Sequence, residues 1–248
     1  MRVLRTAEMT LRDLFGRGWV LALLMLLPLV FYAARRSDAG WQALRMGCMG
    51  LAWAMGTVSL FAQQAVRDLD PRLRLAGVRA WEIFVGRLLA LLGVALVVGS
   101  VYAVGLVLDQ DVLLDQDVLH GWSVAAALLL SAALPVPVGM VVGLLIPREL
   151  EGMLVLIMVV GLQTIVDPGR SLAKALPLWS TRNLLSYGVD GVGSLGDSWV
   201  HAVVYGGACL LVGFVVSAVR LRRRRHLVIL PRTQALSDPG SWFSGLGG

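Results

Sequence analysis

The chain has 248 residues, of which 57% are hydrophobic and 15% charged, with a mean hydropathy of +0.76. Soluble domains carry nearer ~25% charged residues, so the composition excludes an ordinary soluble fold and points to an integral membrane protein. The net charge of +6 does not point to nucleic acid, because arginines beside apolar helices report orientation in the bilayer rather than a ligand.

Residues 2–17 place Leu4, Ala7, Leu11, Leu14 and Phe15 on one stripe against Arg5, Glu8, Arg12 and Asp13. That pattern predicts an amphipathic helix lying in the membrane interface. Its acidic residues and length distinguish it from a cleaved export signal. A bilayer core about 30 Å thick needs roughly 20 apolar residues in helical form, and six stretches meet or approach that: about 19–34, 41–64, 88–108, 122–146, 153–167 and 199–219. The expected fold is all-α and polytopic. It comprises one transmembrane domain over 1–226 and a Gly-, Ser- and Pro-rich cytoplasmic tail over 227–248 that is expected to be flexible.

Within the second stretch, Arg45 lies near the outer end and is expected to snorkel to the headgroups. Thr57, Ser59 and Gln63 there, with Gln163 and Thr164 in the fifth stretch, are the polar groups that could line a route; the alternative is hydrogen-bonded glue between helices. The connector from Arg67 to Arg87 repeats Leu73, Ala76, Ala80, Phe84 and Leu88 at three- to four-residue spacing with arginines between them, which predicts a short helix on the cytoplasmic face. The next connector holds a tandem repeat over 108–113 and 114–119 whose four aspartates lack the glycine and glutamate of a calcium loop, so no metal is expected there.

The fourth stretch contains Pro135 and Pro137, which remove helical hydrogen bonds, followed by Gly139 and Gly143 at the spacing of close helix packing. These allow either a static kink or a moving gate. The long connector over 167–199 has the look of one or two short helices resting on the outer leaflet.

Basic residues sort by side. With both termini inside, Arg2, Arg5, Arg12, Arg17, Arg67, Arg72, Arg74, Arg79, Arg87, Arg148, Arg220 and the arginines after it are cytoplasmic, and only Arg35, Arg36, Arg170, Lys174 and Arg182 are outside. Six spans satisfy that sorting. Cys48 and Cys209 both fall inside spans, so no disulfide framework is expected.

Chemistry of its own is hard to find in this sequence. The single lysine, Lys174, is followed by Ala175 and lies on the outer side, so there is no nucleotide-binding P-loop; metal-ligand spacings and a serine-nucleophile elbow are also missing. The chain is expected to be non-catalytic, without a cofactor or metal of its own. Apart from Arg45, its spans are expected to hold almost no charge.

The order of parts resembles the type-2 ABC exporter permeases. It includes an amphipathic leader, a charged connector between the second and third spans that runs through Leu75-Ala76-Gly77-Val78 into Gly86-Arg87 at the head of the third, and an outer helical insertion with Leu176-Pro177 before the last. It departs from them where Gln64-Ala65-Val66-Arg67-Asp68 stands in place of a Glu-Arg followed by Gly-Thr or Gly-Ser. The resemblance implies an ATP-driven exporter subunit of the bacterial inner membrane, paired with a second permease copy or a homologous permease in contact with lipid. A separate ATPase chain would hold ATP and magnesium, with Asp68, Asp70, Arg72, Arg74 and Glu82 as its contacts. A weaker similarity, to the haem-exporter permeases of cytochrome c maturation, and a non-transporting membrane scaffold are the alternatives.

Overall fold

The computed structural model describes residues 2–16, 18–35, 40–67, 69–108, 119–166 and 171–223. Asp68, the aspartates of the tandem repeat and the tail over 227–248 lie outside the described residues, as does the side chain of Thr164. Every regular element among the described residues is helical. In order these are α1 (Arg2–Gly16), α2 (Gly18–Ala33), α3 (Gly40–Ala65), α4 (Leu69–Leu75), α5 (Ala80–Leu108), α6 (Gly121–Ala133), α7 (Pro135–Leu145) and α8 (Glu149–Ile165). A 3-10 turn (Ser171–Ala175), α9 (Trp179–Asp190) and α10 (Leu195–Arg223) complete the chain.

Among the described residues, four runs are long and apolar enough to cross a membrane: Gln42–Ala65, Ala80–Leu106, Gly121–Leu145 and Leu195–Arg220. The helices at the expected first and fifth spans have 16 and 17 residues, short of the roughly 20 that a 30 Å core asks for. The Gly121–Leu145 run joins α6 to α7 through Leu134, which is itself helical at φ −63° and ψ −36° and donates to the Leu130 carbonyl at 2.9 Å. The two prolines therefore do not end the span. Pro135 sits at the first turn of α7, the position where a helix has no use for the missing N–H.

The core lies along α3. Of its span 72% is buried inside the protein, against 28% for α5 and 17% for α10, whose Val200, Val203, Val204 and Leu211 face outward. Small residues let the backbones close on α3. A methyl group at Gly139 of α7 would collide with the Gly56 carbonyl oxygen of α3 and lie 2.9 Å from Ser59 Cβ. One at Gly143 would lie 2.9 Å from Gln63 Cβ, and one at Gly50 would lie 2.8 Å from the Pro28 Cα of α2. Proline in the middle of α2 is tolerated in lipid because packed neighbours compensate the broken helical bond.

The charged connector is not one surface helix. Gly77, at φ +84°, ends α4: its N–H bonds to the Arg74 carbonyl at 3.1 Å and the Val78 N–H to the Leu73 carbonyl at 3.0 Å, which is a Schellman cap. The helix then restarts. Glu82 Oε2 accepts the Arg79 backbone N–H at 2.7 Å, half of a capping box, and α5 runs unbroken from there into the span. The periodicity across 73–88 holds on either side of Gly77 but spans two helices with different directions.

The outer connector also differs from a helix at rest on the surface. α9 is wedged among α3, α6 and α10, with Ser180 and Leu184 fully buried. Ser123 Oγ of α6 donates to the Leu184 carbonyl at 2.7 Å, and Asn183 Nδ2 donates to Ser198 Oγ of α10 at 2.8 Å. Asn183, one of its polar residues, is thus turned to α10.

Candidate functional site

The inward face of α5 is set by Ile83, Phe84, Ala90 and Leu91, all buried. Arg87 falls on that same face, three or four residues from Phe84, Ile83, Ala90 and Leu91, and is only 3% exposed. A guanidinium in such a place needs acceptors, and two other elements supply them. Arg87 Nη2 donates to Asp70 Oδ1 of α4 at 2.7 Å, and Nη1 donates to Gln63 Oε1 of α3 at 2.7 Å, with a longer 3.5 Å contact to Asp70 Oδ2. Arg87 Nε is buried without a partner.

Each acceptor is held by its own local structure. Asp70 is in the first turn of α4, positioned by the turn in which the Leu69 and Asp70 N–H groups both bond to the Val66 carbonyl at 3.0 Å. Gln63 is 3% exposed near the end of α3, pressed against Gly143 of α7. The cluster thus ties a short surface helix to two spans through one guanidinium. Removing either charge would strand the other away from water.

The same end of the molecule gathers α1 and the adjoining ends of α7, α8 and α10. α1 lies across the start of α5 through Thr6, Thr10 and Leu14, so closely that a methyl group at Gly86 would meet the Val3 carbonyl oxygen at 2.7 Å. Arg2 Nη1 donates to the Gly77 carbonyl at 2.9 Å, Gln64 Nε2 to the Ile146 carbonyl at 3.1 Å, and Arg220 Nη1 to the Leu144 carbonyl at 3.1 Å. Arg148 and Glu151 pair at the exposed start of α8, 2.8 Å apart.

The described residues among those singled out from sequence as ATPase contacts stand in different surroundings. Asp70 faces inward and its carboxylate is taken by Arg87; Glu82 closes the cap of its own helix; Arg74 is half-buried; Arg72 is exposed, near the exposed Leu69 and Leu75 of the same helix. The spans were expected to hold almost no charge apart from Arg45; the Arg87–Asp70 pair places a buried charge in the connector itself, next to the third span. Arg87 itself was legible only as a connector residue, because its burial depends on α3 and α4. The available signal was its place on the Ile83, Phe84, Leu91 stripe.

Among the described side chains, the polar residues considered for a route lie at two places along the bundle. Thr57, Ser59 and Gln63 are buried in α3; Ser59 Oγ donates to the Met55 carbonyl at 2.8 Å, and Ser59 and Gln63 face the two glycines of α7. Gln163 lies near the opposite end of α3, where its backbone carbonyl accepts from Arg45 Nη2 at 3.4 Å. Arg45, expected from sequence to snorkel to the headgroups, is half-buried and its Nη2 turns to the end of α8. Pro135, Pro137, Gly139 and Gly143 are all buried on α7, and the two glycines pack closely against α3.

Comparison with protein-family models and with curated proteins returned no match.

Proposed function

We propose that this chain is the non-catalytic transmembrane permease subunit of an ATP-binding-cassette exporter of the bacterial cytoplasmic membrane. It works as a dimer with a second copy or a homologous permease. ATP and magnesium are bound by a separate ATPase subunit, whose closure pushes on α4.

The observation that carries this reading is the latch among Asp70, Arg87 and Gln63. A surface element that receives force must be tied to what it moves, and a buried ion pair is costly to separate. A push on α4 therefore displaces α3 and α5 together. Coupling of this kind also needs different contacts in the two states; the exposed side of α4, with Arg72 between Leu69 and Leu75, is the face available for them.

Six spans with both termini cytoplasmic follow if α2 and α8 cross. At 1.5 Å per residue they are roughly 24–26 Å long, a mismatch that bilayer thinning and flanking residues accommodate. The clustering of Arg2, Arg87, Arg148 and Arg220 at one end of the bundle supports that end as the cytoplasmic one.

The test is a search of the neighbouring genes for a Walker-type ATPase and co-expression of this chain with it. The two chains co-purify, the permease stimulates ATP hydrolysis, and Arg72→Glu weakens the stimulation. A neighbourhood with no Walker-type ATPase, together with a purified chain that stimulates none, would sink the reading.

A further inference from the structure

A group of rings and charges gathers where the 3-10 turn and α9 meet the start of α10. His201 of α10 donates its Nε2–H to the Lys174 carbonyl at 2.7 Å, and its ring stacks on Tyr205 at 5.6 Å and meets Trp179 at 5.0 Å. The Lys174 ammonium stands over the Trp179 ring, 5.5 Å from its centre. Fastening the turn to α10 accounts for the rings. It does not account for the opposite charges beside them.

Lys174, Asp197 and the three rings border one open groove of about 370 Å³, within the range of small-molecule sites, about 300–1,000 Å³. Lys174 and Asp197 are exposed, do not pair with each other, and have no other ion-pair partner among the described residues. The rest of the groove is apolar. Val200, Val204 and Ala208, exposed at four-residue spacing, carry it from Asp197 along α10, a span of which only 17% is buried inside the protein. Exposed Trp122 and Trp199, at the starts of α6 and α10, put this level at the membrane–water interface, where such amphipathic rings concentrate.

We infer that this groove binds one phospholipid whose head is zwitterionic and ends in a primary ammonium, drawn from the leaflet around this end of the bundle. Lys174 meets the phosphate, Asp197 meets the ammonium, and an acyl chain lies along Val200, Val204 and Ala208. An anionic head would bring its charge against Asp197 as well as Lys174, and a cationic head the reverse; a zwitterion satisfies both. An ionised carboxylate only accepts hydrogen bonds, so Asp197 favours an ammonium with N–H donors over a trimethylated one that has none. The apolar stripe continuing from the charged end favours a lipid over a soluble phosphate ester. The site rests on the membrane-embedded character of the chain and is independent of the exporter reading.

The experiment offers the full-length chain, delipidated in detergent, an equimolar mixture of phosphatidylethanolamine, phosphatidylglycerol and phosphatidylcholine with the same acyl chains, and counts bound lipid by native mass spectrometry. The ethanolamine lipid is retained about tenfold over each of the others. Lys174→Gln and Asp197→Asn, at exposed side chains whose loss leaves the core intact, each lower that preference to about threefold, whereas Asp190→Asn, exposed at the end of α9 and outside the groove, leaves it unchanged. Excess glycerophosphoethanolamine does not displace the lipid, because the soluble head lacks the chain. An ethanolamine lipid with a photoactivatable acyl chain labels residues 200–208, a readout that needs no variant to fold. Equal retention of the three lipids, an unaltered preference in both groove variants, displacement by the soluble head, or label spread evenly over α5 and α10 would each overturn the assignment.

Discussion

The Arg87 guanidinium and the Asp70 carboxylate, 2.7 Å apart and both buried, form an ion pair between residues on opposite sides of the helix break at Gly77. The pair makes α4 and α5 a single mechanical unit although the backbone between them turns. With Gln63 as a third member, α3 joins that unit.

Removing one side of the pair leaves the other charge buried. Arg87→Met or Asp70→Leu alone is expected to cost about 3–5 kcal/mol, whereas the double substitution costs much less than the sum, because an apolar pair replaces an ionic one. Denaturant or thermal unfolding of the four proteins in detergent closes the cycle. Strictly additive losses would show that the two side chains are not coupled.

The contact between α7 and α3 leaves no room for a side chain at Gly139. Gly139→Ala should destabilise by about 1–3 kcal/mol, as overpacking does in tight cores. Gly93 of α5 has open space around its Cβ position, so Gly93→Ala should be neutral or stabilising by up to ~1 kcal/mol, through helix propensity. Comparing the two melting temperatures checks the crossing; equal effects would mean that α7 and α3 are further apart.

Gly77 holds a left-handed backbone that residues with a Cβ adopt at a cost of about 1–2 kcal/mol. Gly77→Ala should therefore loosen the cap of α4, and Gly77→Asn, which tolerates that region, should do so less. Proteolytic susceptibility around 75–79 is the readout. Equal protection in all three proteins would argue against the cap.

Orientation is tested by labelling. In a background with Cys48→Ala and Cys209→Ala, single cysteines at the exposed Arg72 and Asp190 should react with an impermeant reagent from opposite sides of intact cells and inverted vesicles. Reaction from the same side would contradict an antiparallel bundle with α4 inside and α9 outside.

Much of the architecture was legible before any coordinates. Long apolar runs have few ways to satisfy their backbone in lipid, so helices over Gly40–Ala65, Ala80–Leu108, Gly121–Leu145 and Leu195–Arg223 follow from composition and length. The amphipathic α1 and the break after the charged connector carry local signals too: a stripe in one case, a glycine followed by an Arg79-to-Glu82 capping spacing in the other. The short α2 and α8 show the limit of this argument, since run length alone does not decide how a 16- or 17-residue helix sits in a bilayer.

What the sequence determined by itself was therefore the helical, membrane-embedded character of the chain and the approximate place of its apolar runs, because hydrophobicity and backbone satisfaction act locally along the chain. The tertiary structure decided where its charges lie. Arg87 looks like any connector arginine until α3 and α4 bring Gln63 and Asp70 to it, from 24 and 17 residues away. Arg45 reads as an arginine near the end of a span, and the carbonyl that α8 offers it is set by packing. Whether a charged side chain is solvated or buried depends on partners brought together by packing, and no pattern of neighbours in sequence encodes that by itself.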